Sequence, residues 1–219
     1  MTCQLAKQMT RLLPRAGEHL LVAEVPAAQG IADVVAVRFD QEAIRQRLEG
    51  GVGPIGSPLR VRTLDLLRDD RFTQIGTIAR KIGSNPYALM RSTLGPLAEL
   101  GIVEVAGATV RATGLWRPLG GHLTAVELKL SKWRDALRQA DNLALSADRT
   151  WVVLDQARAK GAVDASDYFR QFGVGLAVLD VEGGLRVIVS PQRRRPERWL
   201  RSLFAERAWA LTAPALDCV

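Results

Sequence analysis

Three ionisable residues lie within apolar runs that have the composition of buried strands. Asp33 belongs to the run Ile31–Val37. Glu127 and Lys129 belong to the run Ala125–Leu130, and they share a face because side chains alternate along a strand. If the two strands are neighbours, the two carboxylates meet beside the lysine, and paired carboxylates favour a divalent cation. The spacing therefore predicts a metal-dependent phosphodiesterase site.

The composition favours a polyanionic partner. The 219 residues carry a net charge of +7 and a pI near 10.1, and the hydrophobic fraction of 47% is ordinary for a globular protein. DNA, in its double-stranded form, is the partner we expect. His19 and His122 are the only histidines, which argues against a histidine-rich zinc site and against a Ser/His triad.

Neither a membrane segment nor a disulfide framework is predicted. No apolar run is long enough to cross a bilayer, and the N-terminal residues lack a secretory signal. The two cysteines, Cys3 and Cys218, lie near opposite ends of the sequence and have no metal-ligand spacing. We therefore expect a cytoplasmic protein without a membrane partner, and we leave a homodimer open.

Periodicity divides the sequence into three sections. The first and third alternate strands with helices, and the second is mostly helical. A run rich in glycine and proline, Gly50–Pro58, separates the first section from the second. The elements expected in the outer sections are an opening helix that ends near Pro14, strands His19–Val25 and Ile31–Phe39, a helix Gln41–Leu48 capped by Asp40, strand Leu123–Leu130, helix Lys132–Ser146, strand Thr150–Leu154, helix Ala165–Phe172, a hairpin turning at Gly183–Gly184, and a tail helix Pro196–Trp209.

The order of these elements resembles the core of the PD-(D/E)XK (restriction-endonuclease-like) nuclease superfamily. The resemblance rests on a strand with Asp, a strand with Glu-x-Lys and the helix that follows, and it covers roughly residues 1–49 and 116–190. It implies that Asp33, Glu127 and the backbone carbonyl of Leu128 are ligands of Mg²⁺ or Mn²⁺. It also implies that Lys129 orients the attacking water or offsets charge on the phosphate. Gln139 would be a neighbour of the site.

Two features of this region leave alternatives open. Ala32 precedes Asp33 where the superfamily pattern has proline, and a Glu-x-Lys triplet on its own is a weak signal. In the alternative interpretation Asp33 caps the start of a strand, while Glu127 and Lys129 pair at a sheet edge. Glu24, on the preceding strand, is either an extra carboxylate or a solvated strand end.

The middle section resembles a winged helix-turn-helix domain of the kind found in MarR-like and ArsR-like regulators. The segment Phe72–Val105 carries the resemblance, with a helix ended by Gly83, a second helix beginning at Ser84, and the ending L-x-x-L-G-I-V before a hairpin. The resemblance implies that the helix after Ser84 is the recognition helix and that Val105–Val110 is the wing. Pro96 lies late in that helix, where we expect it to kink or shorten the helix.

Basic and polar residues of this section, together with an arginine cluster near the tail helix, are the expected DNA contacts. Those of the winged helix would meet base edges or phosphates, whereas the arginine cluster would follow the DNA backbone. The expected contacts are Arg80, Lys81, Asn85, Tyr87, Arg91, Arg111, Arg193, Arg194 and Arg195. The alternatives are a dimerisation or docking module for the winged helix and a solvated face for the arginine cluster.

We therefore expect an α/β protein of two modules. A restriction-endonuclease-like mixed sheet flanked by helices takes residues 1–49 and 116–219, and the winged helix-turn-helix domain is inserted at residues 57–115. The expected function is Mg²⁺-dependent hydrolysis of DNA phosphodiester bonds, in defence or repair, with the winged helix positioning the site. The alternative is a transcriptional regulator that binds DNA on a degenerate nuclease scaffold and cuts nothing. RNA is a third and less favoured substrate.

Overall fold

The computed structural model describes residues 12–13, 19–67 and 71–212, which form two compact units. As far as they are described, residues 1–38 and 120–197 make the first unit, and residues 39–119 and 198–219 make the second. Nearly all of the expected opening helix and both cysteines lie outside the described residues. Within the described ranges, no helix combines the length and the apolar composition that crossing a membrane requires.

The elements run through both units in chain order. The strands are β1 (Leu20–Pro26), β2 (Ile31–Phe39), β3 (Thr73–Gln74), β4 (Val103–Ala106), β5 (Thr109–Ala112), β6 (Gly120–Lys129), β7 (Arg149–Asp155), β8 (Gly175–Leu179) and β9 (Leu185–Val189). The helices are α1 (Gln41–Glu49), α2 (Pro58–Asp65), α3 (Ile75–Ile82), α4 (Pro86–Leu89), α5 (Gly95–Glu99), α6 (Trp133–Leu143), α7 (Lys160–Asp164), α8 (Ser166–Gln171) and α9 (Arg198–Thr212). A π-helical turn, Met90–Leu94, joins α4 to α5, and a 3₁₀ turn, Gln156–Arg158, follows β7.

Six strands of the first unit form a mixed sheet in the order β1-β2-β6-β7-β8-β9, which confirms the expected α/β class. β1 and β2 form an antiparallel hairpin in which Leu20 lies opposite Val37. β6, β7 and β8 run parallel, and β9 returns antiparallel beside β8. The valine-rich composition of β2 suits a strand that is buried on both faces.

The two faces of this sheet pack into different apolar clusters, so the position of a residue along its strand decides its surroundings. One cluster contains Val34, Val126, Leu128 and Val153. The other contains Leu137 and Ala140 of α6 together with Val152 and Leu154 of β7. Asp33, Glu127 and Lys129 alternate with the members of the first cluster and therefore lie on the face that packs against α6.

The second unit combines helices with a small antiparallel sheet in the order β3-β5-β4. Leu64 of α2, Ile78 of α3 and Leu97 of α5 meet in its core. Val52, from the glycine-rich run Gly50–Pro58, is buried in the same core. This run is therefore part of the second unit and does not mark the boundary that we expected there. β4 and β5 form a hairpin in which Ala106 pairs with Thr109 across the turn.

The helix expected after Gly83 differs from the expectation at its start. Asn85, not Ser84, caps it, since the Asn85 side chain accepts a hydrogen bond from the amide of Ala88 at 2.8 Å. The helix is not cut short at Pro96 but continues into α5 through the π-helical turn. Proline has no N–H to donate, and the wider turn directly before it accommodates the missing hydrogen bond.

The tail helix α9 belongs to the second unit, although we expected it in the nuclease-like domain. Leu203 of α9 lies in the core of the second unit. Glu206 of α9 forms a buried ion pair with Arg47 of α1 at 2.5 Å, and Trp209 lies 4.8 Å from the Arg47 guanidinium. These contacts hold α1 and α9 together. The units therefore divide after residues 38, 119 and 197, and not at the expected limits of 1–49, 57–115 and 116–219.

Candidate functional site

Strands β2 and β6 are neighbours in the sheet, and they bring Asp33 to the Glu-x-Lys triplet. Oδ2 of Asp33 accepts a hydrogen bond from the backbone amide of Leu128 at 2.7 Å. The charge of Asp33 also acts on both Glu127 and Lys129. The three ionisable groups singled out from the sequence therefore lie together on the face that packs against α6.

The interpretation of Glu127 and Lys129 as a sheet-edge pair is wrong. β6 lies between β2 and β7 in the interior of the sheet. The Glu127 side chain is only 2% exposed, a depth at which ionised groups need partners. Lys129 supplies one partner, with its Nζ 2.6 Å from Oε1 of Glu127.

The second carboxylate oxygen of Glu127, Oε2, is buried and has no hydrogen-bond partner in the part of the chain that the structure describes. Burial raises the pKa of Glu127; the hydrogen bond from Lys129 opposes this shift, and the negative charge of Asp33 adds to it. A buried oxygen without a partner is uncommon in folded proteins, and ordered water and bound ions are the usual partners of such atoms.

Lys129 keeps its positive charge in this setting. Its side chain is 33% exposed. Burial by itself lowers the pKa of an ammonium group, but the hydrogen bond to Glu127 and the nearby carboxylates outweigh it, so the pKa of Lys129 is raised. The site thus combines two carboxylates with one ammonium, and the excess of negative charge favours a further cation.

The site offers carboxylate oxygens, which are the ligands that magnesium prefers. Within residues 19–67 and 71–212, no three His, Cys, Asp or Glu side chains come together as metal ligands. Mg²⁺ needs fewer, because it keeps several waters and is commonly bound by one or two carboxylates together with substrate phosphates. Asp33 and Glu127 supply two carboxylates. The N–H and C=O of a strand residue point toward the same neighbouring strand, so the carbonyl of Leu128 is directed to the side of Asp33.

Gln139 lies on α6 at the border of a cleft of about 510 Å³ that also includes Lys129. Sequence reasoning missed three further residues of this cleft, Lys132, Asp135 and Arg138. They follow the Glu-x-Lys triplet at successive helical spacings of three, and this periodicity is the signal that identifies one face of α6.

Two residues that carry side chains adopt left-handed backbone conformations at the border of this site. Among the described residues other than glycine, Glu24 has a φ of 53° and Lys132 a φ of 59°, and no others have positive φ. Glu24 falls opposite Asp33 in the register of β1 and β2, and Lys132 lines the cleft. Such conformations cost about 1–3 kcal/mol each and concentrate at functional sites.

Five of the DNA contacts expected in the second unit are exposed: Arg80, Lys81, Asn85, Tyr87 and Arg91. Tyr87 is 74% exposed. Its aromatic ring and the charges of the three basic residues are therefore accessible to a nucleic acid.

Two of the expected contacts of the second unit are engaged with protein groups. The side-chain oxygen of Asn85 is occupied by the helix cap, which leaves only its amide donors for a base edge. Arg111 forms an ion pair with Glu104 at 2.6 Å, and its guanidinium lies 4.7 Å from the ring centre of Phe72. A phosphate would have to compete with these partners for Arg111.

The arginine cluster of the first unit is divided in the same way. Arg193 and Arg195 are exposed. Arg194 donates a hydrogen bond to the backbone carbonyl of Phe172 and lies 3.6 Å from Asp141. The Arg194 side chain thus ties its segment to the rest of the first unit.

Comparison of the chain with protein-family models, with curated proteins and with solved structures found no significant match. The functional interpretation therefore depends on the geometry of the site itself.

Proposed function

We propose that the first unit hydrolyses DNA phosphodiester bonds with the help of Mg²⁺, as a nuclease of the PD-(D/E)XK type. One observation carries this proposal. Asp33 and Glu127, from segments far apart in the sequence, lie on one face of the sheet beside Lys129, and Oε2 of Glu127 has no partner among the described residues. DNA defence and DNA repair are both compatible settings.

The residues of the site have separate roles in this proposal. Asp33, Glu127 and the carbonyl of Leu128 would hold Mg²⁺, which when bound supplies Lewis acidity and a water of lowered pKa. Lys129 places a fixed positive charge beside the phosphate, where it offsets the negative charge that develops during attack. The Leu128 amide orients Asp33, and the Lys129 ammonium orients Glu127, so both carboxylates are held in place before substrate binds.

The second unit, in the same proposal, binds duplex DNA as a winged helix-turn-helix domain. The succession of α3, α4–α5 and the hairpin β4–β5 supports this assignment, as do the exposed Arg80, Lys81, Tyr87 and Arg91. In such domains the second helix enters the major groove and basic residues around it contact phosphates.

Incubation of the full chain with plasmid, linear and branched DNA in Mg²⁺ or Mn²⁺ tests the proposal. We expect metal-dependent cleavage that falls roughly 100-fold or more in Asp33→Asn and Lys129→Ala. Lys160→Ala is the matched control, because Lys160 is an exposed lysine of the same unit that pairs with Asp164 outside the site. Cleavage that survives in Asp33→Asn and Lys129→Ala would overturn the proposal.

A second function, DNA binding without cleavage, is favoured by the contacts within the site. Asp33 is bonded to the Leu128 amide and Glu127 to Lys129, so much of the network is satisfied by the protein itself. A transcriptional regulator on a degenerate nuclease scaffold would bind duplex DNA and cut nothing under any metal condition. For that function Arg91→Ala weakens binding and reduces its salt dependence, while Asp33→Asn leaves binding at the wild-type level.

A further inference from the structure

A groove continues from the candidate site along α6. The cleft beside Lys129 and a second cleft of about 400 Å³ share Arg138 and Gln139. Gln29, from the turn between β1 and β2, and Asn142 of α6 line the second cleft. The two clefts together form the α6 groove, defined by Gln29, Lys129, Lys132, Asp135, Arg138, Gln139 and Asn142.

The α6 groove contains three cations and one carboxylate. Lys129 lies at the end nearest the candidate site, Lys132 directly before α6, and Arg138 where the two clefts meet. The carboxylate of Asp135 lies 3.3 Å from Arg138, and both side chains are more than half exposed, so this pair is weak in water. Lys129 is already paired with Glu127, so the surplus of positive charge in the groove comes from Lys132 and from Arg138, whose own pair is weak in water. This surplus favours a polyanion.

The spacing of the cations suits a chain of phosphates better than a single one. Lys132 and Arg138 lie almost two helical turns apart, a separation of about 9 Å along α6. At this separation each of the two side chains can meet a different phosphate of one nucleic-acid strand. The neutral groups of the groove, Gln29, Gln139 and Asn142, both donate and accept hydrogen bonds, which suits sugars and base edges of any sequence.

We propose that one strand of the substrate lies along the α6 groove, with the scissile phosphate beside Lys129 and neighbouring phosphates at Lys132 and Arg138. This inference rests on the proposed function and specifies its substrate as a polynucleotide strand, in preference to a mononucleotide or a small phosphodiester. Lys132 and Arg138 are positioning residues, since they hold the strand without touching the reacting atoms.

The variants Lys132→Gly and Arg138→Ala test the groove. Glycine adopts the left-handed φ of position 132 without penalty, so Lys132→Gly removes the charge and relieves the backbone. Arg170→Ala is the control for Arg138→Ala, because each arginine pairs with the aspartate three residues before it. Lys160→Ala is the control for the lysine. Asp135→Asn should strengthen binding of the oligonucleotide, since it removes the carboxylate of the groove.

Binding is measured with a fluorescent single-stranded oligonucleotide in EDTA over a series of salt concentrations. Each groove variant should raise the Kd by about three- to tenfold and reduce the salt slope by about 0.7. In Mn²⁺ the KM for oligonucleotide cleavage should rise by a similar factor, and the loss on bis(4-nitrophenyl) phosphate should be much smaller. Asp135→Asn should lower the Kd, and both controls should match the wild type.

The possible failures are distinguishable. The proposal that a strand lies along the α6 groove would be overturned if cleavage of the oligonucleotide and of the small diester fell equally. It would also be overturned if the controls lost as much as the groove variants. If hydrolysis is intact and the groove variants bind the oligonucleotide like the wild type, the strand does not lie along the groove and the proposed function stands. If the chain cleaves neither substrate but the groove variants bind more weakly in EDTA, the proposed function is wrong and the groove stands.

Discussion

Asp33 and Leu128 are joined by a hydrogen bond of 2.7 Å between a side-chain carboxylate and a backbone amide. The two residues belong to neighbouring strands, so a side chain takes the place of a main-chain carbonyl as the partner of this amide. The bond fixes the carboxylate beside Glu127 and Lys129. Asp33 therefore has a structural role in addition to its proposed role as a metal ligand.

Asparagine and alanine at position 33 should separate these two roles. Asp33→Asn keeps an oxygen that accepts the Leu128 amide, so we expect the free energy of unfolding to change by less than about 1 kcal/mol. Asp33→Ala leaves that amide without a partner and should cost about 1–3 kcal/mol. Both variants should lose Mn²⁺ binding. Urea denaturation and Mn²⁺ titration measure the two effects, and an equal loss of stability in both variants would contradict the structural role.

The pKa of Glu127 should respond in opposite directions to its two charged neighbours. Burial raises this pKa, Lys129 lowers it and Asp33 raises it. Lys129→Met should therefore raise the pKa of Glu127 further, and Asp33→Asn should lower it. NMR titration of the side-chain carboxyl carbon follows the ionisation directly. Shifts of the same sign in the two variants would show that the three groups are not coupled as the structure has them.

The raised pKa of Glu127 also sets the sign of a pH dependence. A carboxyl group whose pKa is higher in the folded than in the unfolded protein contributes stability at low pH, and this contribution is lost as the pH rises through the folded-state pKa. Glu127→Gln should therefore raise the free energy of unfolding of the metal-free protein at neutral pH, and the difference should disappear at acidic pH. Affinity of the wild type for Mn²⁺ should instead rise with pH, because only the ionised carboxylate is a ligand. Denaturation and metal titration at both pH values check the signs.

The buried ion pair of Arg47 and Glu206 should show strong coupling. Both side chains are 1% exposed, and Arg47 also donates to the carbonyl of Gly53 at 2.6 Å. Glu206→Leu leaves a buried guanidinium without its carboxylate and should cost about 3–5 kcal/mol. The double variant with Arg47→Met should lose clearly less stability than the sum of the losses in the two single variants. Urea denaturation of the four proteins gives the coupling energy, and additive losses would rule it out.

Gly175 should be unable to accept even one methyl group. A Cβ at this position would overlap the buried ring of Trp151 on the neighbouring strand β7. Gly175→Ala should therefore cost about 1–3 kcal/mol, which is typical of overpacking. Gly76→Ala is the control, because nothing lies within 4 Å of the added carbon in α3, and alanine should stabilise that helix by up to about 1 kcal/mol. Denaturation midpoints of both variants are the measurement.

Local patterns in the sequence predicted the elements that position the site. β2 has the predicted bounds because its β-branched residues suit a buried strand. Asp40 caps α1 and Gly83 ends α3 with a φ of 74°, both as predicted from residue type. Charged residues within apolar runs also predicted that Asp33, Glu127 and Lys129 meet if their strands are neighbours, and β2 and β6 are neighbours.

Pairings between distant residues were beyond local patterns. Arg47 lies in a short helix whose other charged residues are exposed, so nothing in its neighbourhood marks it as buried. Its carboxylate partner, Glu206, lies 159 residues further along the chain, in the tail helix. The bond between Asp33 and Leu128 depends on how β2 and β6 align, and periodicity within each strand leaves that alignment open.

The chain passes between its two units after residues 38, 119 and 197, so the described part of the second unit is completed by its final helix. On a translating ribosome Arg47 emerges long before Glu206, so its guanidinium has no carboxylate partner in α9 until that helix leaves the exit tunnel. A premature stop codon before residue 198 would deliver the whole six-stranded sheet but would remove Glu206 and Leu203 from the second core. Such a truncated product is a natural target for cellular proteolysis.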